Sequence, residues 1–249
     1  MMEKAFYDSY DYRDYWQNRT YEDLSEKLAI KHLLKQIPSS QRINLIDIGG
    51  GFGRLSSYFG PSFQNCLLVD PSTKLLGEAK ELFAKQVGLK TKQGSAEKLP
   101  VDSSAYDVAL MVRVLHHLPN PRQAFLEAYR ALKPQGFLLL EFANKTHFLS
   151  RLKSWLRGNT VFSNSLKPAN LSTSADNIPF LNHHPMRIEE DLKQAGFTII
   201  EGLSVSNFRS TLLKKIIPLP ILLSMESTCQ KPLFSLHFGP SLFLLCQRG

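Results

Sequence analysis

The sequence has little cysteine. Its three cysteines, Cys66, Cys229 and Cys246, show no C-x-x-C spacing, and Cys66 and Cys246 lie within apolar, strand-like runs. This pattern argues against a disulfide framework and is typical of reduced cysteines in a protein core. We therefore expect a cytoplasmic protein.

Long apolar runs and blocks of one charge are also missing. No run reaches the roughly 18 apolar residues that span a bilayer, and the first residues lack a signal-peptide pattern. The net charge of +8 predicts a surface that attracts anions. The basic residues are scattered, however, so we expect no dedicated nucleic-acid arm. The length of 249 residues suits one α/β domain with appendages.

The most informative stretch is residues 43–58, I-N-L-I-D-I-G-G-G-F-G-R-L-S-S-Y. Its apolar start predicts a strand that is buried on both faces. The strand ends at a cluster of glycines, after which helix-forming residues begin. This arrangement brings backbone N–H groups close to a ligand, as in nucleotide cofactor sites.

The residue types around this turn favour one kind of cofactor. The carboxylate of Asp47 would repel a pyrophosphate and attract the ammonium of an amino-acid moiety. A dinucleotide fingerprint, G-x-G-x-x-G, counted from Gly49 puts Arg54 at the last glycine position. Counted from Gly51 it ends on Ser56, so spacing alone does not exclude a dinucleotide.

The D-x-G-x-G-x-G pattern of residues 47–53 resembles the first motif of the class I S-adenosylmethionine (SAM)-dependent methyltransferases. Asp70 follows a second apolar run and lies 19 residues after Gly51. An acid at that distance can accept hydrogen bonds from ribose hydroxyls, although an Asp before Pro71 is also a common turn or cap residue.

Strand and helix patterns alternate along the chain. Further strands are predicted at 66–69, 89–93, 106–112, 137–142, 197–205 and 241–246. An apolar stripe over 75–87 predicts a helix that Gly88 ends. This alternation implies an α/β fold with a parallel, doubly wound sheet.

Four later segments, 94–97 (G-S-A-E), 102–107 (D-S-S-A-Y-D), 114–121 (V-L-H-H-L-P-N-P) and 132–136 (L-K-P-Q-G), are similar to consecutive motifs of one methyltransferase family. That family includes the ubiquinone/menaquinone-biosynthesis enzymes. The resemblance covers roughly residues 40–142. It implies a Rossmann-like, seven-stranded, mostly parallel sheet with an antiparallel last strand, and SAM across the carboxyl ends of the first strands.

The resemblance also implies a set of cofactor-binding residues. Asp47 would hold the amino group of SAM, and Gly49, Gly50 and Gly51 would lie beside the methionyl part. Asp70 and Pro71 would contact the ribose, and Ser95, Ala96 and Glu97 the adenine. Met111 and Val112 would flank the sulfonium. Ser95 stands where family members usually carry Asp, so its contact with adenine would be uncharged.

The predicted catalytic residues are Arg113, His116 and His117, which follow the fourth strand. A histidine there could accept a proton from an oxygen or nitrogen acceptor, and Arg113 could fix an acidic substrate group. Each also has a structural interpretation: the histidines could pack the turn, and Arg113 could pair with an acid of the amino-terminal arm. Adjacent histidines lack metal-ligand spacing, and we expect no metal.

Two additions and one hydrophobic segment are predicted on a single methyltransferase domain of residues 1–249. An aromatic helical arm, 1–38, forms a lid over the cofactor and substrate, or packs on its own domain. An insertion, 143–185, covers the active-site mouth or is a surface excursion. The segment 212–223, L-L-K-K-I-I-P-L-P-I-L-L, is a hydrophobic flank for a lipid-like substrate or a peripheral membrane contact with Lys214 and Lys215 towards anionic head groups; alternatively it is core or a wall of the substrate pocket.

The sequence thus predicts a cytoplasmic SAM-dependent methyltransferase that acts on a small molecule, aromatic or lipid-like, as a monomer or homodimer. The alternatives are an RNA or protein methyltransferase and a catalytically degenerate SAM-binding protein. The R-V-L-H-H sequence after the fourth strand is unlike the N/D-P-P-Y type that holds planar nitrogens, so no nucleic acid is expected. Asp47 disfavours an NAD-dependent dehydrogenase.

Overall fold

The computed structural model describes residues 12–158, 165–170 and 180–249. The helices are α1 (Tyr12–Gln17), α2 (Thr20–Gln36), α3 (Ser56–Phe59), α4 (Thr73–Phe83), α5 (Arg122–Ala131), α6 (Phe148–Leu156), α7 (Pro185–Gln194), α8 (Thr211–Ile216) and α9 (Leu219–Phe234). The strands are β1 (Asn44–Ile48), β2 (Asn65–Asp70), β3 (Leu89–Gln93), β4 (Tyr106–Met111), β5 (Leu132–Ala143), β6 (Ala169–Asn170), β7 (Leu181–Asn182), β8 (Phe197–Val205) and β9 (Ser241–Arg248). Parts of the predicted arm and insertion, with Phe6, Tyr7, Tyr10 and Phe162, lie outside the described residues.

Seven strands form one sheet in the order β3-β2-β1-β4-β5-β9-β8. The strands from β1 to β5 pair in parallel, and β9 pairs antiparallel with both β5 and β8. The last strand of the chain is thus the antiparallel one, and the predicted fold class is confirmed. The strand order reverses between β1 and β4, where open α/β sheets bind their ligands.

Both faces of the sheet are buried, which explains the continuous apolar runs of its strands. Successive residues of β4 alternate between two cores: Val108 and Leu110 face α2 and α3, whereas Ala109 and Met111 face α5 and α7. Helices therefore cover the sheet on both sides, as the alternation of strand and helix patterns predicts.

The prediction for the end of α4 is wrong. The helix ends at Phe83, and Val87, expected in its apolar stripe, is completely exposed. Gly88 has φ +86° at the turn into β3, and a Cβ there would lie 2.5 Å from the carbonyl oxygen of Gln64. The glycine is needed for this close approach between two chain segments and not to end the helix.

Residues 212–223 fold as two helices separated at Pro218. Leu212, Ile216 and Ile221 are exposed, and Leu222 is buried. Most of this segment is therefore not core. Among the described residues, no helix is both long and apolar enough to cross a membrane.

Candidate active site

The turn after β1 depends on glycine. Gly49, Gly51 and Gly53 have φ of +70°, +57° and +87°, a region that L-residues with side chains rarely adopt. A Cβ on Gly49 would also lie 2.4 Å from Cγ2 of Val114. The turn is thus compressed against the segment that follows β4, with its backbone close to the carboxyl end of the sheet.

Asp47 lies beneath this turn. Its side chain is buried, and its Oδ2 accepts a hydrogen bond of 2.5 Å from the Ser56 hydroxyl. Burial raises the pKa of the Asp47 carboxyl to about 6; Ser56 and Arg54 oppose this shift, and Asp70 adds to it. No lysine or arginine forms an ion pair with Asp47 within the described part of the chain.

Asp70 connects the end of β2 to the glycine turn. One carboxylate oxygen accepts the Gly51 N–H at 2.9 Å, and the other accepts the Ser72 N–H at 2.9 Å. A carboxylate has about four acceptor sites, so accepting these two N–H groups is compatible with accepting ribose hydroxyls as well. Asp70 acts as a turn residue here, and its predicted ribose role is compatible with that position.

The loop after β3 completes this edge of the sheet. The Gly94 N–H donates to the Asp70 carbonyl at 3.2 Å, and the Gln93 side chain donates to the Pro71 carbonyl at 3.0 Å. Ser95 and Ala96 are half-buried, and Glu97 is exposed. The loops after β1, β2 and β3 therefore meet, and they bring the predicted amino-group, ribose and adenine residues together.

Met111 and Val112 occupy a different environment from that expected of residues beside a sulfonium. Both side chains are buried, one in each core of the sheet. A contact between these residues and a cofactor would therefore use their backbone atoms, and their assignment to the site stays a prediction.

Arg113 has φ +62°, a conformation that costs free energy for a residue other than glycine and often marks functional sites. Its N–H donates to Glu141 Oε2 at 2.8 Å. Its guanidinium lies 3.3 Å from Glu26 Oε1 and donates to the Tyr15 hydroxyl at 2.7 Å. Arg113 thus pairs with an acid of the amino-terminal region, which was one of its two predicted roles.

His116 is buried in a stack of rings, with Phe180 at 4.4 Å and His117 at 3.9 Å between centroids. Burial lowers the pKa of the His116 imidazole well below its usual range, and His117, Arg113 and His183 act in the same direction. The imidazole is therefore neutral at pH 7. His183 holds the same turn, since its Nε2 lies 2.8 Å from the Leu115 carbonyl oxygen.

A cavity of about 140 Å³ opens beside Arg113 and His116. Its walls come from the arm and α2, the ends of β5 and β9, the insertion and the loop after β8. The lining residues are Tyr15, Trp16, Arg19, Glu22, Glu26, Arg113, His116, Glu141, Ala143, His147, Phe180, Asn182, Ser206, Arg209, Pro240 and Ser241.

The aromatic residues of α1 contact arginines at this cavity. The Arg54 guanidinium lies 3.6 Å from the Trp16 ring centroid, and that of Arg19 lies 4.0 Å from the Tyr15 centroid. Arg54 also pairs with Asp23 and Glu26 of α2. The arm is therefore attached both to the glycine turn, through Arg54, and to the cavity, through Tyr15.

Sequence reasoning missed several residues of this cavity. Glu141 had a signal, because it is a lone carboxylate in the apolar strand L-L-L-E-F-A. Its side chain accepts hydrogen bonds from Arg113 and Ser241, and burial raises its pKa. Arg19 and Arg209 gave no such signal, since each stands alone in a loop. Across the described ranges, no group of three or more His, Cys, Asp or Glu side chains could hold a metal ion.

Residues 46–140 match the methyltransferase domain family. This part of the chain is a methyltransferase domain. The match contains the glycine turn, Asp70, the loop after β3 and the histidine pair, so the predicted resemblance is confirmed for this part of the chain.

Two curated relatives show how far the methyltransferase domain extends by sequence. YcgJ of Bacillus subtilis, an uncharacterised methyltransferase, is 35% identical over 99 residues, or 39% of each chain. A ubiquinone biosynthesis O-methyltransferase of Rickettsia prowazekii is 26% identical over 125 residues, or 48% of this chain and 49% of that protein. The aligned region thus spans about two fifths to a half of these relatives.

The structural likeness extends beyond the methyltransferase domain. A SAM-dependent methyltransferase of Thermotoga maritima, named as a possible histamine N-methyltransferase, superposes with a TM-score of 0.65 at 20% identity. The superposition covers 96% of this chain and 95% of that one. The two chains share a fold over nearly their whole length.

Proposed function

We propose that this chain is a SAM-dependent methyltransferase that transfers a methyl group to a small-molecule acceptor. The observation that carries the proposal is the buried carboxylate of Asp47 beneath the glycine turn, with no cationic ion-pair partner among the described side chains. A desolvated carboxylate is costly, and the ammonium of a methionyl group would offset that cost.

The residues at the sheet edge fit the rest of this cofactor. In the proposed site Gly49, Gly50 and Gly51 allow close backbone approach, Asp70 accepts from the ribose, and the loop of Ser95 and Ala96 borders the adenine. When bound, SAM supplies an electrophilic methyl group on a sulfonium. The chain then mainly has to hold the acceptor in line and exclude water.

The cavity beside Arg113 is the proposed acceptor site. At about 140 Å³ it suits a small molecule, which supports this class over an RNA or protein acceptor. In the proposed mechanism the neutral His116, which lines the cavity, accepts a proton from the acceptor. A neutral imidazole is the form that a general base requires, although its lowered pKa makes it a weak base.

Calorimetric titration tests this function. We expect the purified full-length chain to bind S-adenosylhomocysteine and SAM, and not NAD. Binding of NAD in place of these ligands would contradict the proposal. Binding without turnover of a broad acceptor panel would favour the alternative of a catalytically degenerate SAM-binding protein.

We also propose that residues 212–223 contact membranes peripherally, through fewer residues than the sequence suggests. Leu212 and Ile216 expose apolar surface beside the exposed Lys215. Lys214 does not face outward as expected, because it forms an ion pair of 2.9 Å with Glu22. The predicted cytoplasmic location and the monomeric or homodimeric state stay predictions.

A further inference from the structure

The acceptor cavity is lined by three arginines and three glutamates, but among the described residues the glutamates do not pair with all of the arginines. Among its acidic residues, Glu26 pairs with Arg54 and Arg113, and Glu22 pairs with Lys214. The third, Glu141, accepts hydrogen bonds from the Arg113 N–H and the Ser241 hydroxyl. Arg19 and Arg209 also line the cavity, yet neither forms an ion pair with a carboxylate of the residues whose positions are described. Within the described part of the chain, these two guanidinium groups thus have no acidic ion-pair partner.

We propose that the methyl acceptor carries an anionic group, a carboxylate or a phosphate, which Arg209 and Arg19 bind in this cavity. The inference rests on the proposed function and specifies its class of substrate. Guanidinium groups suit both anions because their planar donors match carboxylate and phosphate oxygens.

The surroundings of Arg209 support an anion as its missing partner. Arg209 is an exposed residue, and part of it lines the cavity. Partial desolvation at the cavity lowers the pKa of Arg209; Glu22 opposes the shift, and the nearby Arg19 and Arg113 add to it. A bound anionic group would offset the free-energy cost of desolvating Arg209. It would also reduce the repulsion between these cations.

The backbone before Arg209 is fixed by a buried network. Glu226 of α9 accepts the N–H groups of Ser206 and Asn207 at 2.8 and 3.0 Å. The Tyr21 hydroxyl donates to Glu226 at 2.6 Å and accepts the Phe208 N–H at 3.0 Å. The loop that carries Arg209 is therefore held in place before any ligand binds.

The same network fixes the second arginine. Tyr21 belongs to the first turn of α2, which directly follows Arg19, and the Arg19 guanidinium lies over the Tyr15 ring. The backbone segments that carry Arg19 and Arg209 are thus held together by the hydrogen bonds of Tyr21 and Glu226. Such preorganisation reduces the entropy lost when an anion binds.

The cavity volume limits the size of the acceptor. A cavity of about 150 Å³ holds one benzene ring, and this one has about 140 Å³. Tyr15, Trp16 and Phe180 supply aromatic walls. Benzoate is therefore a suitable probe for the carboxylate, benzamide is its neutral counterpart, and inorganic phosphate represents the other anion.

The fluorescence of Trp16 provides a test at the cavity itself. Trp155, the other tryptophan, is 70% exposed on α6 and is replaced by Phe in all proteins tested. The full chain is titrated with benzoate, benzamide and phosphate, with and without S-adenosylhomocysteine. We expect at least one anion to bind, and the Kd of benzamide to be about 10-fold or more above that of benzoate if the carboxylate is the group recognised.

Substitutions then assign the preference to the two arginines. We expect Arg209→Gln and Arg19→Gln each to raise the anion Kd about 10-fold, and Arg209→Lys to have a smaller effect. Arg122→Gln removes an exposed charge on α5, away from the cavity, and should leave the anion Kd unchanged. Thermal unfolding confirms that each variant is folded.

Three results would overturn the inference: equal affinity for benzoate and benzamide without phosphate binding, no response to either anion, or an anion affinity that neither arginine variant changes. Calorimetry with S-adenosylhomocysteine on the same proteins distinguishes failure of the anion-site inference from failure of the proposed methyltransferase function. If the protein without arginine substitutions does not bind S-adenosylhomocysteine, the proposed methyl transfer is contradicted. The anion titration without cofactor tests the role of the arginines independently of this result.

Discussion

At the scale of single residues, Asp47 is a carboxylate in surroundings that oppose its charge. Its pKa of about 6, against an ordinary 3.8, corresponds to about 3 kcal/mol of unfavourable free energy at pH 7. Between these two pH values the folded state binds a proton that the unfolded state has lost. The contribution of Asp47 to stability therefore becomes more favourable as the pH falls from 7 towards 4.

The unfavourable contribution of ionised Asp47 to stability leads to a first prediction. We expect Asp47→Asn to raise the free energy of unfolding of the cofactor-free protein at pH 7 by up to about 3 kcal/mol, because an amide carries no charge to desolvate. Urea unfolding measures the change. Asp107→Asn is the contrasting control: Asp107 accepts from the Asn44 N–H and pairs with Lys133 at 2.8 Å, so its loss should destabilise. Destabilisation by Asp47→Asn would contradict the prediction.

The affinity for the cofactor should depend on pH in the opposite direction from the contribution of Asp47 to stability. An ammonium group needs the ionised form of Asp47, so we expect the affinity for S-adenosylhomocysteine to fall as the pH drops below about 6. Asp47→Asn should weaken binding at every pH and remove this dependence. Calorimetry from pH 5 to 8 measures both effects; unchanged affinity in the variant would refute the role of Asp47.

The glycine turn gives a prediction with an internal control. Gly49→Ala introduces a Cβ at φ +70° and 2.4 Å from Val114, so we expect a loss of about 2 kcal/mol or more in stability. Gly77→Ala, in α4 with open space around it, should instead stabilise by about 0.5–1 kcal/mol. Thermal unfolding of both variants compares the same substitution in the two environments.

At the scale of secondary-structure elements, α1 connects the two halves of the site. Trp16 packs on Arg54 of the glycine turn, and Tyr15 accepts a hydrogen bond from Arg113 at the cavity. The lid interpretation and the packed-arm interpretation agree on these contacts and differ in their consequence for ligands. Only the lid requires that ligand affinity depend on α1.

Deletion of residues 1–17 tests the lid. It removes α1 and leaves α2, whose apolar side chains pack in the core, so the truncated protein should fold. We expect S-adenosylhomocysteine affinity and methyl transfer to fall about tenfold, since one desolvated cation–π contact contributes about 1–2 kcal/mol. Trp155→Ala, which removes an exposed aromatic ring elsewhere, serves as control. A folded truncate with full affinity and activity would support the packed arm.

At the scale of the whole molecule, the two halves of the site were not equally predictable. The cofactor half lies within residues 46–140, where short loops follow consecutive strands and motif spacing fixes which side chains meet. The acceptor half brings Tyr15, Phe180, Arg209 and Ser241 together from segments far apart in sequence. A local sequence pattern does not predict that these residues lie close together. Their proximity depends on how the arm, the insertion and the last strands pack around the sheet.

The exposed apolar surface of α8 leads to the last prediction, which concerns the molecule as a whole. Leu212 and Ile216 are 64% and 68% exposed, and the chain carries a net charge of +8. We therefore expect co-sedimentation with vesicles that contain phosphatidylglycerol, and little with pure phosphatidylcholine, because anionic lipid attracts a positive protein. Added salt should weaken the binding.

Matched variants distinguish insertion of α8 from general charge attraction. Leu212→Ser with Ile216→Ser removes two apolar side chains and should lower vesicle affinity about tenfold, whereas Val87→Ser, at a completely exposed site before β3, should have no effect. No loss in either protein would mean that charge alone accounts for any binding, and equal loss in both would mean that the apolar contact is not specific to α8. The apolar surface of α8 would then require a different explanation, such as contact with a second copy of the chain.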